Sequence, residues 1–253
     1  VDFSGRTAIV TGSGAGIGRE TALLLASHGA NVVVNSRNGA GRGQATVDEI
    51  VASGGRAAYA PGDVAEPATA AGAVEMAVTE FGGLDILVNN AGLTIPGTVE
   101  TTSEDDVQRM LDVNVTSTIL MSRAAMPALR ARGGGTIVNV ASVAGIKGHQ
   151  DRAVYSATKG AIVALSRSMA VDHVPDGIRV NCVCPGTTLT PAIEEKINSS
   201  PDPDAAERAF VHRQPMGRLG LPREIAHTIA HVASAEAAFM TGSVVVIDGG
   251  MTM

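Results

Sequence analysis

Tyr155 and Lys159 place a phenol and an ammonium four residues apart, so they share one face if the stretch between them is helical. A free phenol ionises at about pH 10 and is a poor proton donor or acceptor at neutral pH. Bringing it near neutrality takes about 4 kcal/mol of selective stabilisation of the phenolate, and an ammonium about 4 Å away in an effective dielectric of about 20 supplies that much. Desolvation of either group works against the gain. The pair is therefore suited to passing a proton to or from an oxygen, and its competing explanation is a solvated helix face.

A second set of residues suits a phosphate-bearing ligand. Thr11-Gly12-Ser13-Gly14-Ala15-Gly16-Ile17-Gly18 follows an apolar β-branched run and opens an amphipathic one. Glycines allow a tight turn and close approach to a pyrophosphate, whose charge is favoured by the free amides and dipole of a helix start. The spacing is Gly12-x-x-x-Gly16-x-Gly18; Ile17 stands where G-x-G-x-x-G requires its third glycine. No Lys-Ser or Lys-Thr follows, which disfavours a P-loop.

These residues need a frame, and the chain alternates short β-branched runs with longer amphipathic stretches, as in βαβ units with a parallel sheet. Strands are predicted over Thr7 to Thr11, Asn31 to Asn35, Ala57 to Ala60, Ile86 to Val88, Thr136 to Val140, Arg179 to Val183 and Ser243 to Ile247. The clearest predicted helices are Ile17 to His28, Ala68 to Phe81, Glu104 to Ala131, Ala153 to Val174 and Arg223 to Ser234. Gly39 to Gly43 reads as a glycine-rich loop, and Pro191 to Pro222 as a long polar insertion that is not one simple helix. Such insertions after a strand's carboxyl end carry lids and specificity loops.

At 253 residues, 45% hydrophobic and 17% charged, the chain is expected to fold as one globular domain. A net charge of -6 gives no drive toward nucleic acid or anionic membrane. No apolar run spans a bilayer and the first residues lack signal-peptide character, so the expected location is cytoplasmic. Cys182 and Cys184 are read as core residues that alternate across a strand without bridging. His227 and His231 have helical metal-ligand spacing, but Thr228 replaces the Glu of a zinc protease and no third ligand is near, so no metal is expected.

Taken together, the motifs resemble the short-chain dehydrogenase/reductase family, from Arg6 to the last strand. Gly12, Gly16 and Gly18 match its Thr-Gly-x-x-x-Gly-x-Gly turn, and Asn89-Asn90-Ala91-Gly92 the segment after its fourth strand. Asn114, Ser142, Tyr155 and Lys159 fall at its catalytic tetrad, and Pro185-Gly186 with Thr190 at the Pro-Gly-x-x-x-Thr segment beside the nicotinamide. The resemblance implies a single-domain Rossmann fold, α/β, with a doubly wound seven-stranded parallel sheet and helices on both faces. Residues of about 1–140 would form the cofactor half and about 141–253 the catalytic and substrate half, with a specificity loop over about 187–216. It implies a nicotinamide-dependent oxidoreductase acting on a carbonyl or secondary alcohol, assembled as a homotetramer or homodimer.

Roles follow from the same resemblance. Tyr155 would be the general acid for reduction or base for oxidation, and Ser142 would hold the substrate oxygen. Lys159 would hold the ribose hydroxyls and favour the phenolate, and Asn114 would order a proton-relaying water. Taken alone, a serine after a strand is also a common turn former, and Asn89 suits backbone bonding between strands. The cofactor would contact Gly12, Ser13, Gly14, Gly16, Ile17 and Gly18 at the turn, Asp63 and Val64 at the adenine, and Asn90, Ala91 and Gly92 beyond the fourth strand. Pro185, Gly186, Thr188 and Thr190 would complete it beside Tyr155 and Lys159.

The second strand ends Val34-Asn35-Ser36-Arg37, without the acidic residue that bonds the ribose of NAD. Ser36 and Arg37 suit a 2′-phosphate, which favours NADP; Ala15 stands where many NADP enzymes carry another base, and Arg37 also fits a solvated loop, so NAD stays open. The substrate pocket is expected along residues 93–97, 143–152 and 187–216, where His149, Gln150 and Arg152 suit either a polar or anionic substrate or an exposed loop. Two alternatives remain: a 3-oxoacyl carrier-protein-type reductase, and a non-catalytic nucleotide-binding protein on the same fold.

Overall fold

The computed structural model describes residues 1–37 and 39–253, with residues 39 and 40 described by backbone alone. Seven strands form one parallel sheet: β1 Thr7–Val10, β2 Asn31–Ser36, β3 Arg56–Pro61, β4 Ile86–Asn89, β5 Gly135–Val140, β6 Ile178–Pro185 and β7 Val244–Ile247. Their order is β3-β2-β1-β4-β5-β6-β7. The chain winds outward in both directions from β1 and β4, whose carboxyl ends flank the switch point where this architecture holds its ligands. The helices are α1 Gly16–Ser27, α2 Gly39–Ala52, α3 Pro67–Phe81, α4 Glu104–Leu111, α5 Ser117–Ala131, α6 Ala153–His173, α7 Pro191–Asn198, α8 Pro203–Val211 and α9 Pro222–Ala233.

Strand periodicity divides the core between the two faces. Ala8, Val10, Val32, Val34, Ile86 and Val88 pack with Leu25 of α1 and Ile225 and Ile229 of α9. Their neighbours Ile9, Val33 and Leu87 point the other way, onto Ala73 and Ala77 of α3 and Met121 and Leu129 of α5. Among the described residues, no helix is long and apolar enough to cross a membrane.

Three local features depart from the sequence expectations. The stretch 39–43, expected as a loop, begins α2; burial of Val47 and Ile50 against the sheet outweighs the low helix propensity of its glycines. The predicted helix from Glu104 to Ala131 is continuous in direction but contains a π-helical turn, Asp112–Thr116, in which the Ser117 amide reaches back to Asp112 O. Cys182 and Cys184 lie on the same face of β6, as residues two apart must, with free thiols 4.0 Å between sulfurs. The insertion after β6 folds as α7 and α8 above the carboxyl ends of the strands.

Candidate active site

The glycine turn owes its shape to close backbone approaches at the switch point. Gly12 has φ +64, and a Cβ there would lie 2.9 Å from Ala91 Cα. A Cβ on Gly18 would lie 2.5 Å from Gly12 O and collide with the Asn90 amide. Thr11 Oγ1 accepts from the Asn90 and Ala91 amides at 3.0 Å each, while Asn90 Nδ2 donates to Thr11 O at 2.9 Å. The ends of β1 and β4 are thereby locked together. Among the described residues no side chain caps the start of α1, and its first turn holds no acidic residue, so its amides and dipole suit an anion.

Not every residue of the turn faces the cleft. Ser13 is fully buried; its hydroxyl donates to Val10 O at 2.6 Å and accepts from the Asn35 amide at 3.0 Å, tying the turn to β2. Ile17 packs its side chain on the core. Gly16 faces the returning chain, since a Cβ there would meet Thr190 Cγ2 at 3.2 Å.

A cleft runs from the turn past the end of β2, between Gly14, Ser36, Arg37, Asp63, Val64 and Gly92. Arg37 Nη1 lies 3.7 Å from Asp63 Oδ2, and the Ser36 and Tyr59 hydroxyls are 3.0 Å apart. Arg42 also lines this cleft, its Cβ close against Gly14. Sequence reasoning missed it because residues 39–43 read as loop; once α2 begins at Gly39, Arg42 falls in its first turn, directed back toward the glycines. The cradle thus fits a dinucleotide: glycines where a Cβ would fill space, an uncapped helix start, and two arginines beside the second strand's end.

The candidate chemical centre lies on α6. Lys159 is 4% exposed, and its Nζ donates to Val140 O at 3.0 Å while lying 6.0 Å from the centroid of the Tyr155 ring. A helix spacing of four residues produces this pairing, as expected. A Cβ on Gly92 would meet Lys159 Nζ at 3.4 Å and Asn114 Oδ1 at 3.5 Å, so the segment after β4 closes against both. Ser142, two residues beyond β5, has extended backbone, and its Oγ accepts from the Ala144 amide at 3.1 Å at the start of a short turn. That turn abuts α6, where a Cβ on Gly145 would lie 2.7 Å from the Lys159 carbonyl.

Asn114 occupies the π-helical turn, which explains an asparagine within a long helical stretch. Its Oδ1 accepts from the Leu93 amide at 2.7 Å, and its Nδ2 donates to Leu93 O and to Thr158 Oγ1 at 2.9 Å each. Both donor hydrogens of the amide are therefore engaged in protein bonds. The Thr158 hydroxyl donates in turn to Tyr155 O at 2.7 Å. Thr158, another residue the sequence did not single out, links the π turn to the helix bearing the phenol.

Asn89 serves the frame: its amide donates to Ser122 Oγ at 3.1 Å and Asn139 Oδ1 at 2.9 Å, side chains where backbone partners were expected. Pro185 ends β6, Gly186 approaches Asp248 so closely that a Cβ would lie 2.7 Å from its Cα, and buried Thr188 donates to Gly186 O at 3.2 Å. Arg152, just before α6, pairs by its backbone with Gly97.

Comparison with known proteins agrees with this architecture. A family model described as Enoyl-(Acyl carrier protein) reductase matches residues 12–252. The chain is 45% identical over 252 residues to an "Uncharacterized oxidoreductase" of Thermotoga maritima, covering 100% of this chain and 99% of that one. It is 42% identical over 253 residues to a cyclohexanol dehydrogenase of an Acinetobacter species, covering 99% and 96%. L-Sorbose reductase from Gluconobacter frateurii, solved with NADPH and L-sorbose, superposes with a TM-score of 0.94 at 31% identity, covering 99% and 97% of the two chains.

Proposed function

The chain belongs to the short-chain dehydrogenase/reductase family, and from that premise we propose that Tyr155 is its general acid and base, with Lys159, Ser142 and Asn114 completing the site. It is an NAD(P)-dependent oxidoreductase acting on a carbonyl or secondary alcohol. The observation that carries the assignment of Tyr155 is the buried Lys159 ammonium, held against Val140 O on the same helix face as the phenol. In this reading the phenol exchanges its proton with the substrate oxygen. Ser142 positions that oxygen just beyond β5. Asn114 holds the Leu93 segment and α6 together, a supporting role beside any it has toward water. The nicotinamide, when bound along the cleft, supplies or accepts the hydride.

For the cofactor we favour NADP over NAD. Arg37 and Arg42 flank the end of β2, where a 2′-phosphate would extend, and no acidic residue ends that strand. The Arg37–Asp63 contact is one that a phosphate would compete for. The whole chain is read as one catalytic domain with its specificity loop at about 187–216. A cytoplasmic homotetramer or homodimer is the proposed assembly; Val246, 40% exposed, lies on the edge strand β7, a surface a second copy would cover.

The test is a panel of ketones, sugars and secondary alcohols followed by nicotinamide absorbance with each cofactor, for the wild type and Tyr155→Phe. Turnover that depends on the hydroxyl supports the reading. Turnover that survives its loss overturns the role of Tyr155.

A further inference from the structure

The chain has two tyrosines, Tyr155 and Tyr59, and the second meets a residue that lines the dinucleotide cleft. Tyr59 lies on β3, in register with Val34 of β2. Ser36 stands two residues beyond Val34 and so on the same face, a diagonal neighbour that a long aromatic side chain can reach. The Tyr59 hydroxyl lies 3.0 Å from Ser36 Oγ and 3.3 Å from Ser36 O. That carbonyl already accepts from the Gly62 amide at 3.2 Å. The ring itself packs, partly buried, against the core on this side of the sheet.

Two glycines leave room for the pair. Gly43 lies inside α2, a place where glycine is disfavoured by its conformational freedom. A Cβ there would collide with the Tyr59 ring and lie 2.6 Å from Ser36 Oγ, so a larger residue would part the two hydroxyls. Gly14, in the glycine turn, brings backbone close on another side: a Cβ there would lie 3.3 Å from Ser36 Oγ. The serine oxygen is thus set between the turn, the first part of α2 and the phenol, in a cleft that Arg37 and Arg42 also line.

A serine hydroxyl carries one hydrogen and two lone pairs, so what it offers outward depends on how its inner partner bonds. If the phenol donates to Ser36 Oγ, the serine keeps its hydrogen for the cleft. A phosphate monoester presents acceptor oxygens and needs that hydrogen, whereas a ribose hydroxyl can donate or accept and is served either way. We propose that Tyr59 is a positioning residue for cofactor choice: its hydroxyl donates to Ser36 Oγ and turns the serine hydrogen toward the 2′-phosphate of NADP. The inference rests on the NADP reading of this cleft. In it the arginines supply charge and Tyr59, through Ser36, supplies direction.

Adenosine 2′,5′-bisphosphate and adenosine 5′-phosphate differ by the 2′-phosphate alone, and neither can take part in hydride transfer. Their binding is measured by calorimetry for the wild type, Tyr59→Phe, Ser36→Ala and the double variant, with thermal unfolding of each free protein alongside. The wild type should prefer the bisphosphate by about tenfold or more, and Tyr59→Phe should lose about three- to tenfold of that preference while holding the monophosphate nearly as before. Ser36→Ala should lose a similar amount, and Tyr59→Phe should add nothing in its background. A general loosening of the fold lowers the unfolding midpoint and both affinities together, and so leaves the ratio in place. A ratio unchanged in Tyr59→Phe, a loss that Ser36→Ala does not share, or losses that multiply in the double variant would overturn the proposal and leave the NADP reading standing. A wild type with no preference for the bisphosphate would refute the NADP reading itself, and the role of Tyr59 with it.

Discussion

The Asn114 amide donates to the Thr158 hydroxyl at 2.9 Å, and that hydroxyl passes a bond on to the carbonyl of Tyr155. The π-helical turn and α6 are thus coupled through one small side chain. Thr158→Val keeps the shape and removes both bonds, leaving a buried amide hydrogen of Asn114 unsatisfied, which costs about 1–3 kcal/mol. The expected outcome is a fall of about tenfold in kcat. Thr158→Ser should restore most of the activity. A loss confined to thermal stability, with kcat intact, would mean that the contact only braces the fold.

Arg37 and Arg42 approach one cleft from different elements, the end of β2 and the first turn of α2. If both meet a 2′-phosphate, Arg42→Ala and Arg37→Ala should each weaken NADPH binding by about tenfold, one charge-assisted bond's worth, and NADH binding far less. Titration of cofactor fluorescence measures both. Equal losses for the two cofactors would remove Arg42 from phosphate recognition and leave it as an exposed helix residue.

The two glycines Gly18 and Gly72 should respond oppositely to alanine. A methyl at Gly18 collides with Asn90 and Gly12, so Gly18→Ala should cost about 1–3 kcal/mol and abolish tight cofactor binding together. Gly72 lies inside α3, where an added methyl would have nothing within 4 Å, so Gly72→Ala should stabilise by about 0.5–1 kcal/mol. Urea denaturation resolves the two signs, and similar effects at both sites would contradict the crowding at the turn.

What could be read before the fold was known follows from how local each signal is. Tyr155 with Lys159, and the Gly12 to Gly18 turn, are determined within one helical turn or one strand-to-helix junction, so spacing alone exposes them. Arg42 was hidden because glycine-rich sequence at 39–43 suggests a loop, whereas α2 is fixed by tertiary burial of Val47 and Ile50. Thr158 gains meaning only through Asn114, 44 residues away. The π turn at Asp112–Thr116 changes one hydrogen-bond register without changing hydrophobic periodicity, so no sequence pattern marks it.

The return of the insertion onto the sheet is held by a charged cap whose strength depends on pH. Glu224 accepts from both Arg218 guanidinium nitrogens, at 2.8 and 2.7 Å, and from the Leu221 amide at 2.8 Å at the start of α9. The Arg218 bonds first, and the Leu221 amide second, bring its carboxyl from an ordinary 4.5 down to about 2. A carboxyl whose folded pKa lies below its unfolded one contributes stability above the unfolded value, and that contribution is lost as pH falls through the folded value. Glu224→Gln should therefore lower stability at neutral pH and reduce its decline between about pH 4.5 and about pH 2. The side chain is 35% exposed, so solvent screening keeps the effect at about 1 kcal/mol or less. Asp176, lowered to about 2 chiefly by Arg130 and then by His173, is a second acid-sensitive carboxylate in another part of the fold. Single variants should each remove part of the acid slope, and Glu224→Gln combined with Asp176→Asn should remove more than either. Urea midpoints measured across that range decide the matter, and a slope unchanged in the double variant would place the acid sensitivity in other carboxylates.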